Sequence, residues 1–99
     1  SNSAGTTAEE VLRHMLRRKM AKKGKSMADV RKVTPESVDD LVRRTGGRKV
    51  IEVDPTDSSR QFVALNLQTR NGVKRASEGD YVIEHADGWF DVMAAYEVG

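Results

Sequence analysis

Around Gly46-Gly47 the apolar period of this 99-residue chain changes from helical to two-residue, so helices come first and a run of strands follows. Before the change, Val11, Leu12, Met15, Leu16 and Met20 recur at spacings that gather them on about half of a helix circumference, with Arg13, His14 and Arg17 opposite. Thr7-Ala8-Glu9-Glu10 reads as a capping box and Gly24 as the stop, which predicts a helix over about 8–22. A second start follows at Thr34-Pro35-Glu36-Ser37, where Thr caps and Pro occupies the first turn. Val38, Leu41 and Val42 give its apolar stripe and Gly46-Gly47 its end, predicting a helix over about 35–45.

After the change, alternation predicts strands at Val50–Val53, Phe62–Gln68, Val73–Ala76, Tyr81–His85 and Trp89–Met93. Turn formers separate them: Asp54-Pro55-Thr56-Asp57-Ser58-Ser59, Asn71-Gly72, Glu78-Gly79-Asp80 and Asp87-Gly88. Asn71-Gly72 is the strongest hairpin signal, read as a type I′ turn with both residues at positive φ. Met27–Val33 alternates weakly and reads as an edge strand. The expected fold class is α+β, two helices packed on an antiparallel β-meander of about five strands, in one domain over 7–99.

Composition enters as exclusions. The chain has no cysteine, which removes disulfides, thiolate zinc sites and a cysteine nucleophile, and agrees with a reducing, cytoplasmic compartment. No apolar run reaches the length a bilayer needs, and no segment has the order of a signal peptide. Ser1-Asn2-Ser3 reads as a protease scar and residues 4–6 as a flexible leader. The net charge of +2 hides a division: residues 1–25 hold seven Lys/Arg against two Glu, giving +5, and residues 26–99 hold ten against thirteen acids, giving −3.

From about residue 28 to 97 the chain also resembles a family of small proteins of unassigned function encoded by phages and prophages, often of actinobacterial hosts. The shared features are Val33-Thr34-Pro35-Glu36, the Gly46-Gly47 stop, Thr69-Arg70-Asn71-Gly72-Val73 and the strand Gly79-Asp80-Tyr81-Val82-Ile83, with Gly88-Trp89-Phe90 and Tyr96-Glu97 after it. Two departures stand out. The family's longer Lys-Pro-Asp-x-Phe-Glu segment shrinks here to Asp91–Ala95, and a basic helix stands where the family has a short strand. The resemblance implies a phage origin and the β part of the fold, and brings no activity.

Arg13, Arg17, Arg18, Lys19, Lys22, Lys23 and Lys25 place seven cations in thirteen residues with no acid among them. Such a density suits phosphates, an acidic partner, or the acidic body of the chain's own fold. A membrane surface is disfavoured, since the apolar side lacks Trp and Phe. Trp89 and Phe90 fall on opposite faces of a strand, so one joins the core and the other needs a helix over it or becomes a partner anchor; helix coverage is the expectation. His85, Asp87 and Asp91 invite a metal, yet the turn claims Asp87 and no second His stands at ligand spacing. Ser77, His85 and Asp80 share only residue types with a triad, and Gly46-Gly47 and Gly79 match no phosphate-binding fingerprint.

The resulting expectation is a small phage accessory protein, not an enzyme, with no cofactor and no metal. It binds a bacterial host protein through Arg13, Arg17, Arg18, Lys19, Lys22, Lys23 and Trp89. The alternative is nucleic-acid binding by the same helix, a nucleotide site would need a concave polar pocket, and an unpaired sheet edge would support a homodimer.

Overall fold

The structure, a computed structural model, describes residues 8–98. Its elements in order are α1 (Ala8–Lys22), β1 (Met27–Lys32), α2 (Val38–Thr45), β2 (Arg48–Asp54), β3 (Asp57–Thr69), β4 (Gly72–Ser77), β5 (Tyr81–His85), β6 (Phe90–Met93) and α3 (Ala95–Val98). The class is α+β as expected. The single meander is not found: the strands divide into two antiparallel sheets, ordered β1-β5-β6 and β2-β3-β4. The division is made at Gly79, whose φ of +97° turns the chain away from β4. There the amide of Gly79 donates to the carbonyl of Val33 and the amide of Val33 to that of Asp80, both at 2.8 Å. These bonds join the end of β1 to the start of β5, so β1 takes the side of β5 that a meander would have given to β4.

The β1-β5-β6 sheet is the middle layer, because alternate residues of β5 enter two separate cores. Ile83, Val30 and Met93 pack with Met27 under Leu16 and Met20 of α1, with Leu12 and Tyr81 at the margin. Val82 packs on the other side with Leu65, Leu67 and Ala76 of the second sheet and Val38 and Leu41 of α2, and Phe90 and Val92 join it. Removing a fully buried leucine such as Leu65 or Leu41 by truncation to Ala costs about 2–5 kcal/mol, a large fraction of what a domain this small can hold.

Several boundaries differ from the sequence reading. The α1 span agrees, but Thr7 of the expected capping box and the scar and leader residues lie outside the described residues. A narrow three-stranded floor accommodates one row of side chains, Leu12, Leu16 and Met20, so Val11 and Met15 are left in solvent. The second helix begins at Val38 rather than Pro35. Thr34 and Ser37 cap each other instead, each amide donating to the other's hydroxyl at 3.0 Å, and Ser37 Oγ donates to the Lys32 carbonyl at 2.7 Å. That arrangement holds residues 35–37 as a turn. β3 starts earlier than the alternation suggested, because Asp54 closes a tight turn by accepting from the Thr56 amide and hydroxyl at 2.8 and 2.7 Å. At the β3–β4 hairpin Thr69 faces Gly72, so Arg70 and Asn71 are the loop residues and Gly72, at φ +102°, is the first residue of the return strand.

Candidate functional site

The basic helix of the sequence is α1, and among the described residues its cations are not paired with acids of the fold. Arg17, Arg18, Lys19, Lys22, Lys23 and Lys25 are exposed and Arg13 is half-buried beside the core row. Among the described residues no ion pair includes any of the seven, whereas eight of the ten later Lys/Arg, all but Lys32 and Arg48, are paired with acids. Arg31, for example, donates to Asp29 at 3.0 Å and lies 3.3 Å from Asp40, contacts that raise its pKa, the Asp29 hydrogen bond most. Of the alternatives the sequence left open, an α1 that rests its charge on the chain's own acidic body is not what the described residues show: eight of the body's thirteen acids pair with its own cations and none with α1. Lys19 makes one contact, donating to the Glu97 carbonyl at 3.1 Å.

Position on the helix adds an apolar component to this charge. At about 100° per residue, Val11, Met15, Arg18 and Lys22 fall within an arc of roughly 60°, turned away from the buried row. Val11 is 47% exposed and Met15 52%, so the stripe is apolar in its N-terminal half and cationic, at Arg18 and Lys22, in its C-terminal half.

At its C-terminal end α1 runs into a cleft of about 500 Å³, within the ordinary size range of small-ligand pockets. Its walls are the turn after α1 (Gly24, Lys25, Ser26), the β3–β4 turn (Thr69, Arg70, Asn71) and the β5–β6 hairpin. The hairpin is tied to the first wall where the Ala86 amide donates to the Ser26 carbonyl at 2.8 Å. It is tied to the second by Arg70, which pairs with Asp87 and lays its guanidinium over the Trp89 ring, 5.4 Å from its centroid. Trp89 is 42% exposed, and α1 does not cover it; the helix lies instead over Ile83 and Met93, so the expected helix coverage is corrected. Phe90 does join the core.

The structure thus divides the sequence-derived binding set. Trp89 stands in the cleft that Lys25 lines, while Arg13, Arg17, Arg18, Lys19 and Lys22 lie along the helix leading to it and Lys23 in the turn that follows. Arg70, named in the sequence only as part of the Thr69–Val73 turn and given no binding role there, is the residue that joins the two hairpin tips; the flanking turns signalled its location, but not that those turns meet.

The other candidates are placed as follows. His85 and Asp91 line the cleft, Asp91 receives Lys74 at 3.4 Å, and among the described residues no three His, Asp or Glu side chains come together as a metal site. The His85 Nδ1 atom is buried without a hydrogen-bond partner. Ser77 donates its hydroxyl to Glu52 at 3.2 Å and its amide to Asp80 at 3.0 Å, while His85 is at the far end of β5 from Asp80, so these three form no relay. Among the described residues no helix is long and apolar enough to cross a membrane. Compared with known proteins, the chain matches no family model, no curated protein and no solved structure.

Proposed function

We propose that this chain is a non-catalytic binding protein whose α1 docks an acidic groove on a partner protein. On the strength of the sequence resemblance, we place it as a phage accessory protein whose partner belongs to the bacterial host and is met in the host cytoplasm. The observation that carries the reading is the α1 stripe, in which exposed Val11 and Met15 share an arc with the unpaired Arg18 and Lys22. Cations with no acid paired to them among the described residues lose little when a partner's carboxylates replace water, and the apolar side chains one to two turns before them on the same stripe supply affinity that salt does not screen. The cleft at the end of the helix, with Trp89 half open, extends the same surface to a partner's side chain.

Nucleic acid is the competing reading, favoured by the six exposed cations alone. The two are separated by Met15→Ser and Arg18→Glu/Lys22→Glu in a pull-down from nuclease-treated bacterial lysate, with binding to the recovered protein and to duplex and single-stranded DNA then titrated against salt. Protein docking requires that both variants lose the captured protein. Phosphate binding requires that Met15→Ser bind like the parent, that the charge variant lose binding, and that log K fall steeply with log salt.

A further inference from the structure

We propose that the chain forms a two-fold homodimer by antiparallel pairing of β2 with β2 of a second copy, centred on Ile51. β2 is an outer strand: among the described residues it pairs with β3 alone, which leaves its other row of amides and carbonyls without a strand. The opposite edge of the same sheet, β4, lies against β6.

The residues of β2 suit a copy of themselves. In order they are Arg48, Lys49, Val50, Ile51, Glu52, Val53 and Asp54. A two-fold axis at the central residue sets Arg48 opposite the partner's Asp54, Lys49 opposite the partner's Val53, Val50 opposite the partner's Glu52, and Ile51 opposite the partner's Ile51. The charges at the two ends of the strand are thereby matched twice, as an isologous interface requires. Parallel pairing in register would instead set each charge against its own kind. Arg48 is one of only two cations after residue 25 that make no ion pair within the described chain. Asp54 has capacity left: its Oδ1 takes Thr56, while the nearest cation to its Oδ2 is Arg60 at 3.8 Å.

The apolar side points the same way. Ile51 lies directly opposite Val63 and on its face, and Ile51 and Val53 are each 49% exposed. Pairing through Ile51 continues one row across four strands: Val63, Ile51, the partner's Ile51 and the partner's Val63. Cross-strand neighbours of this kind are the unit from which sheets gain stability. The joined sheet has six strands, and α1, which packs on the other sheet, stays outside the interface with its cations free.

The absence of cysteine provides a direct test, since one introduced thiol reports on its own position. Two copies of Ile51→Cys would meet on the axis with Cα atoms about 4.5–5.5 Å apart, within disulfide reach. Two copies of Val53→Cys would sit four residues apart along the strand, about 13 Å, and out of reach. The expected result is a mass by light scattering that rises from monomer to dimer over a roughly 100-fold concentration range. Under mild oxidation Ile51→Cys should cross-link, while Val53→Cys and Val73→Cys should not. Arg48→Asp should weaken dimerisation on the order of tenfold or more with unchanged circular dichroism, two attractions having become two repulsions. A monomer at every concentration, or cross-linking at position 53 or 73 in preference to 51, would overturn the proposal. Neither result bears on the α1 surface, which has its own test.

Discussion

Two neighbouring glycines perform different tasks. Gly46 caps α2 at φ +72°, donating its amide to Val42 at 2.9 Å, and a side chain there would stand in open space. Gly47 is in an ordinary conformation, but a Cβ on it would fall 2.4 Å from the Asn66 carbonyl oxygen, a backbone atom of the central strand β3. Gly46→Ala is thus expected to cost about 1–2 kcal/mol, the left-handed penalty alone. Gly47→Ala should cost more, because β3 has to move; urea denaturation of the two variants checks the order. The Gly46-Gly47 pair was legible in the sequence as a helix stop. The reason for its second member was not, since Asn66 is nineteen positions away in sequence. Asp54 gives a residue-scale prediction in pH. Hydrogen bonds from the Thr56 hydroxyl and amide stabilise its charged form and hold its carboxyl below the usual carboxylate range. A folded pKa depressed in this way contributes stability that is present above the unfolded value and lost as pH falls through the folded one. The β2–β3 turn should therefore loosen in acid below the usual carboxylate range. Thr56→Val should raise the Asp54 pKa, read by NMR titration, and move that loosening to higher pH.

Among the elements, α1 shows how far periodicity reaches. Its length was legible because helical spacing and Gly24 bracket it. Which of its apolar residues are buried was not, because Val11 and Met15 flank the buried row closely enough to share its pattern. The sheet decides between them: three narrow strands cover Leu12, Leu16 and Met20 only. Leu16→Ala is accordingly expected to cost about 2–5 kcal/mol in thermal or urea unfolding. Met15→Ala should stay within about 0.5 kcal/mol while still weakening partner capture. Were both equally destabilising, α1 would have no second face to offer. The strands repeat the lesson. β3 announced its faces through Val63, Leu65 and Leu67, whereas β1 was faint, since its edge position and charged residues dilute the alternation. α3, four residues long, left no periodic trace at all.

For the whole molecule, the α+β class was readable but the division into two sheets was not. Turn residues state where a chain reverses; they do not state which earlier strand waits at the new position. Two hydrogen bonds at Val33 made that choice, and the same choice brought the two hairpin tips together as the walls of the cleft. The candidate site was legible as a charge run and one aromatic, while its concavity, and Arg70 bridging to Asp87, belong to topology. The strand partnership also has a temporal side. β2, β3 and β4 are consecutive and close by short turns, but β1 must wait for β5, about fifty residues downstream. Closing so wide a loop is slow relative to hairpin formation, so the β2-β3-β4 hairpins should assemble early and the β1-β5-β6 sheet late. Pulse-labelled hydrogen exchange should find β3 amides protected before those of β1. On a ribosome, α1 leaves the tunnel before every strand of its sheet yet has no floor until Met93 has followed it. The helix that carries the charge is then the last part to be anchored, and in native exchange it should be among the first to open.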